Sequence, residues 1–179
     1  MRPLLNDISS LFDRIQTAEG GFEHVLGYLR VAREGASKLI FIGNGGSAAI
    51  ASHMATDWMM AGNYATMCFN DLAALTAITN DTGYNNVFKV PLAYHARVGD
   101  VMFAISSAGE SKSVIEAVEL AKRARMNVIT LSGFDQGNSL RQLGGVNFYV
   151  PSRNYRAVEN VHLAILHTLL DEVVKGMVN

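Results

Sequence analysis

Apolar residues recur every three to four positions over the first 36 residues, the spacing of one helix face. Leu4, Leu5, Ile8, Leu11, Phe12 and Ile15 predict a helix over 3–18, and Phe22, Val25, Leu26, Tyr28, Leu29 and Val31 a second over 21–36. Gly20-Gly21 separates the two. From residue 38 the rhythm changes to short apolar runs: KLIFIG (38–43), ATMCFN (65–70), VMFAIS (101–106), NVITLS (127–132) and VNFYVP (146–151). Most are continuous rather than alternating, as in strands buried on both faces. Helix-like stretches over 47–61, 72–79, 87–96 and 111–126 separate the runs, and a long one over 155–177 closes the chain. Such alternation predicts an α/β fold: a five-stranded parallel sheet between two helical layers. No repeat, low-complexity tract or Pro/Gly-rich linker interrupts it, so a single domain over 1–179 is expected. In it a helical pair (1–36) precedes a sheet-and-helix core (37–179).

Composition narrows the partners. A net charge of −1 offers no electrostatic footprint for nucleic acid or an anionic membrane. Hydrophobic residues make up 49% and charged residues 17%, which leaves apolar surface for contacts between copies. Cys68 is the sole cysteine, so no internal disulfide forms, and its place in a strand predicts a buried, reduced thiol. The amphipathic start lacks the apolar core of a signal peptide, and no apolar run approaches the ~18 residues of a membrane helix. A cytoplasmic protein is expected.

In parallel sheets ligands bind beyond the carboxyl ends of the strands, and three such ends are polar. GNGGSAA follows the first run. Its glycines permit positive φ and close backbone approach, and the helix start behind them presents free N–H groups. SSAGESKS (106–113) follows the third run, with hydroxyls suited to phosphate oxygens; Ser111 also reads as an ordinary N-cap. SGFDQGNS follows the fourth and reads as turn chemistry. Alone, Gly43-x-Gly45-x-x-Ala48 is also a dinucleotide fingerprint, with Asp71 available for a ribose. Two Ser/Gly loops at helix starts suit a compact phosphate monoester better.

GNGGSAAIASHMATDW, AITND (77–81), SSAGESKSV and VENVHLAILH together resemble the sugar isomerase (SIS) family, in its phosphoheptose isomerase branch. The resemblance covers nearly the whole chain. It implies a flavodoxin-like five-stranded parallel sheet, two N-terminal helices, a long C-terminal helix and a homotetramer with active sites near subunit interfaces. It implies phosphate held by Ser106, Ser107 and Ser111, and the sugar by Asn44, Gly45, Gly46 and Ser47, with Asn80 and Asp81 in an active-site loop. It implies zinc held by His53, Asp57, Glu159 and His167. The spacing concurs only for His53 and Asp57, which share a helix face. His162 takes a structural or supporting role; His24 and His95 have no evident partner.

The chain departs from the family pattern at several polar positions. Asp57 replaces a Glu and is one methylene shorter. Glu159 replaces a Gln and adds negative charge, Ala108 replaces a Ser, Ala61 an Arg, and Arg156 an Asp. The expected activity is aldose–ketose isomerisation of a heptose phosphate through an enediol, with Asp57 or Glu159 as base, His167 as acid and zinc as electrophile. The alternatives are a catalytically altered protein that binds a sugar phosphate or a protein partner, as replication-regulator relatives do, and a dinucleotide enzyme.

Overall fold

The computed structural model describes residues 3–178. The chain runs α1 (Pro3–Phe12), α2 (Gly21–Glu34), β1 (Leu39–Gly43), α3 (Gly46–Met60), β2 (Thr66–Cys68), α4 (Leu72–Thr82) and α5 (Lys89–His95). It continues with β3 (Val101–Ser106), α6 (Lys112–Arg123), β4 (Asn127–Gly133), α7 (Ser139–Leu143), β5 (Val146–Val150) and α8 (Tyr155–Val178). The five strands form one parallel sheet in the order β2-β1-β3-β4-β5.

Alternate strand residues feed two cores. Leu39, Phe41, Val101, Phe103 and Ile105 pack toward α2, α3 and α8. Ile40, Ile42, Met102 and Ala104 pack toward α5 and α6. Phe41 and Phe103, opposite each other in register, stack with centroids 4.9 Å apart, and Trp58 of α3 leans on both. Each such fully buried large side chain contributes ~1.5–3 kcal/mol. The expected three-layer α/β sandwich is the observed one.

The chain steps outward from β1 to β2, then returns to the other side of β1 for β3. The ends of β1 and β3 therefore flank the switch point, from which α3 and α6 depart to opposite faces. No helix among the described residues is long and apolar enough to cross a membrane.

Several boundaries differ from expectation for local reasons. The first helix stops at Phe12, not residue 18, because Gln16 leaves it to exchange backbone hydrogen bonds with Tyr149 of β5, at 2.9 and 2.8 Å. The fourth helix runs on to Thr82, so Asn80 and Asp81 occupy its last turn rather than a loop. β2 is a three-residue edge strand, and Cys68 on it is half-buried and free rather than fully buried. Burial raises the thiol's pKa, keeping it protonated. The unanticipated α7 is capped by Asn138, whose Oδ1 accepts from the Arg141 N–H at 2.9 Å.

Candidate active site

The two Ser/Gly loops meet at the switch point. Gly45 has φ 57° and ψ −124°, a conformation that residues with side chains rarely adopt, and it turns the chain from β1 into α3. A Cβ on Gly46 would lie 2.5 Å from Glu159 Oε2. Glycine there lets the α8 carboxylate rest on the first turn of α3, where a helix start favours an anion. On the other side, Ser106 Oγ donates to Ser111 Oγ and accepts from the Gly109 N–H, both at 3.2 Å. Ser111 is the N-cap residue of α6 but makes no side-chain capping bond. Ser107 is 5% exposed and its hydroxyl has no partner.

Seven of the nine predicted substrate-binding residues, Asn44 to Ser47 with Ser106, Ser107 and Ser111, line one cavity of about 230 Å³. Ile105, Ala108, Tyr155 and Glu159 complete it, and among the described residues no cationic side chain lines it. Hydroxyls and helix-start N–H groups are the donors this cavity offers to an anion. Asn80 and Asp81 are not brought to it: both are exposed, and Asn80 Nδ2 donates to Asp81 Oδ1 at 2.9 Å. A larger cavity of about 370 Å³ between α2 and α8, lined by Leu26, Arg30, Arg33, Tyr64 and Val173, holds none of the predicted residues.

A second constellation lies further along α3 and α8. His53 Nε2 and His167 Nε2 stand 3.2 and 3.3 Å from the same oxygen, Asp57 Oδ2. The two imidazoles meet edge to face, centroids 5.3 Å apart, and the three donor atoms lie within 4.8 Å of one another. Zinc bonds of ~2.0–2.1 Å at a tetrahedral angle place neighbouring ligand atoms about 3.3 Å apart, so the two imidazole-to-Asp57 spacings suit such an ion. Glu159 is not in this group: its carboxylate lies with Gly46.

The remaining candidates have plainer roles. His162 is fully buried, its Nε2 bonded to the Ser132 carbonyl at 3.1 Å, and burial pushes its pKa down to about 4. His24 is exposed, and exposed His95 stacks on Phe69. Asp71 caps α4 by accepting from the Ala74 N–H at 2.9 Å, which removes the support for a ribose contact. Ala61 and Arg156 are exposed. Two residues at the site were not anticipated. Tyr155 opens α8 and lines the cavity, and Tyr84, in a short 3-10 turn (Tyr84–Asn86) after α4, donates its hydroxyl to Asn44 Oδ1 at 2.7 Å. Proximity of Tyr84 to AITND was the available signal for the latter; periodicity held none.

Comparison with known proteins accords with this geometry. The SIS domain family profile matches residues 5–133. The phosphoheptose isomerase of Helicobacter pylori is 35% identical over 146 residues, covering 77% of this chain and 74% of that protein. The phosphoheptose isomerase of Citrifermentans bemidjiense is 35% identical over 154 residues, covering 82% and 79%. The solved phosphoheptose isomerase of Neisseria gonorrhoeae superposes with a TM-score of 0.80 at 30% identity, over 95% of this chain and 90% of that one.

Proposed function

Because the chain belongs to the SIS domain family, and within it to the phosphoheptose isomerase branch, we propose that it interconverts sedoheptulose 7-phosphate and a glycero-manno-heptose 7-phosphate through an enediol. The observation that carries this reading is the pairing of an anion-ready cavity with a metal-ready cluster along the same two helices. The Ser107 hydroxyl, buried and unpaired, is a ready donor to phosphate, beside Ser106, Ser111 and the N–H groups that open α6. The sugar then runs over Asn44 to Ser47, where Glu159 accepts from its hydroxyls.

Substrate length joins the two constellations. From Glu159 to His167 is eight residues of α8, ~12 Å at a rise of ~1.5 Å per residue. An extended seven-carbon phosphate reaches about 10 Å with carbon–carbon bonds of ~1.5 Å. A seven-carbon ester covers most of that separation, and a three-carbon ester far less of it.

His53, Asp57 and His167 would hold zinc, which when bound supplies an electrophile for the substrate oxygens. Both imidazoles use Asp57 Oδ2, which leaves Oδ1 as the spare oxygen of the carboxylate. Asp57 Oδ1 lifts the proton from C1 of the ketose and returns it at C2. His167 Nε2 faces Asp57 Oδ2, so with the ion bound it would be taken up as a ligand, and the acid role expected of His167 would not run through that nitrogen. In the net reaction one proton passes from C1 to C2 and another from O1 to O2, with no oxidant.

The proposal extends to one functional domain over residues 1–179, with α1 and α2 packed on α8, and to a homotetramer in the cytosol. Light scattering at four times the chain mass tests the assembly. Incubation with sedoheptulose 7-phosphate tests the chemistry: aldose formation is expected, lost on chelation and restored by Zn²⁺. No turnover by protein shown to carry metal sinks the substrate assignment.

A further inference from the structure

We infer that Tyr84 is a positioning residue that tunes the cavity for a polyol, acting through Asn44; this rests on the sugar-phosphate reading above. Asn44 is gripped at both ends of its amide. Nδ2 donates to Ser113 Oγ at 2.9 Å, and Oδ1 accepts from the Tyr84 hydroxyl at 2.7 Å. Ser113 is 2% exposed in the first turn of α6, so it is a fixed point. Tyr84 does not line the cavity; it reaches Asn44 from the turn after α4, 40 positions along the chain. One hydrogen bond alone leaves the amide free to rotate, because the terminal torsion of Asn is broad. The second bond sets the plane.

The amide's inventory then points to the ligand. A primary amide has two N–H donors and two acceptor lone pairs. Ser113 and Tyr84 consume one of each, so one donor and one acceptor remain on a residue that lines the cavity. That pair complements a hydroxyl group, which both donates and accepts. Phosphate dianion, an acceptor, matches only half of it. The grip on Asn44 therefore serves the sugar and not the phosphate.

The test compares Tyr84→Phe with the wild-type protein by calorimetric titration of sedoheptulose 7-phosphate and, separately, inorganic phosphate. The sugar phosphate is expected to bind about tenfold more weakly to the variant, the size of one hydrogen bond, and inorganic phosphate within about twofold of wild type. In an Asn44→Ala background, Tyr84→Phe is expected to add no further loss, the signature of one shared interaction. Equal affinity of variant and wild type for the sugar phosphate, parallel loss of both ligands, or additive losses in the double variant would each overturn the inference. Wild-type protein that binds the sugar phosphate without isomerising it sinks the isomerase reading and leaves the Tyr84 grip standing. Wild-type protein that does not bind it overturns both.

Discussion

Asp57 presents one oxygen to two imidazoles and leaves the other spare, and the proposed mechanism draws on both. Asp57→Asn keeps the shape and removes the charge. Turnover is expected to fall about 10²–10⁴-fold, the range for losing a proton-transfer group, with metal content by elemental analysis falling too; an active, fully loaded variant removes Asp57 from both roles. His162 acts on stability instead. Its pKa of about 4 lies below the ordinary 6.5, so below pH 6.5 the unfolded chain binds a proton that the folded chain refuses. Its contribution is present above pH 6.5 and lost as pH falls toward 4. Between pH 7 and pH 5 the loss is about 2 kcal/mol. Urea midpoints should show this drop in the wild type and a smaller one in His162→Gln. Of these residues, His53 and Asp57 were legible from a four-residue spacing. His167 was not, because nothing within α8 signals a partner on α3; only the family resemblance carried it.

Among the elements, the helix starts shape the cavity. α3 begins at Gly46, where a side chain would strike the Glu159 carboxylate. Gly46→Ala is expected to push aside the Glu159 carboxylate, the far end of a flexible side chain, so the urea midpoint should change little while sugar-phosphate affinity by calorimetry falls; a stability loss above ~1 kcal/mol, the mark of overpacking, would show that Glu159 cannot move aside. The loops that begin α3 and α6 were readable, since Gly and Ser after an apolar run have few other uses. The extent of α1 and α4 was not. Apolar periodicity continues through Ile15, yet Gln16 gains two sheet hydrogen bonds by leaving the helix. Asn80 and Asp81 look like turn residues, yet they sit in the last turn of α4, which runs on to Gly83, whose positive φ ends it and whose N–H bonds the Thr79 carbonyl.

At the scale of the whole molecule, the sheet separates two cores and the cavity opens on the seam between them, one wall from the start of α3, another from the loop that leads into α6, and a third from α8. Continuous apolar runs made the sheet legible, since strands buried on both faces leave no polar alternation. Its strand order was not, because apolar runs do not say which neighbours they choose. Phe103→Ala, at the stack with Phe41 and Trp58, is expected to cost ~3–5 kcal/mol by chemical denaturation. The cavity depends on β1 and β3 staying in register, so sugar-phosphate affinity should weaken with it.

The Gln16–Tyr149 bridge reaches beyond the shape of one chain. β5 is an outermost strand, and an unguarded border of peptide groups is a template on which other molecules can extend a sheet. The segment after α1 lies across that border as a bolt across a door. Gln16→Pro, which removes the N–H that bonds the Tyr149 carbonyl while leaving Leu11 of α1 in the core, should retain the interior yet turn cloudy at concentrations that the wild type tolerates. Turbidity and thioflavin fluorescence, followed over time for both proteins, measure what the bolt holds back.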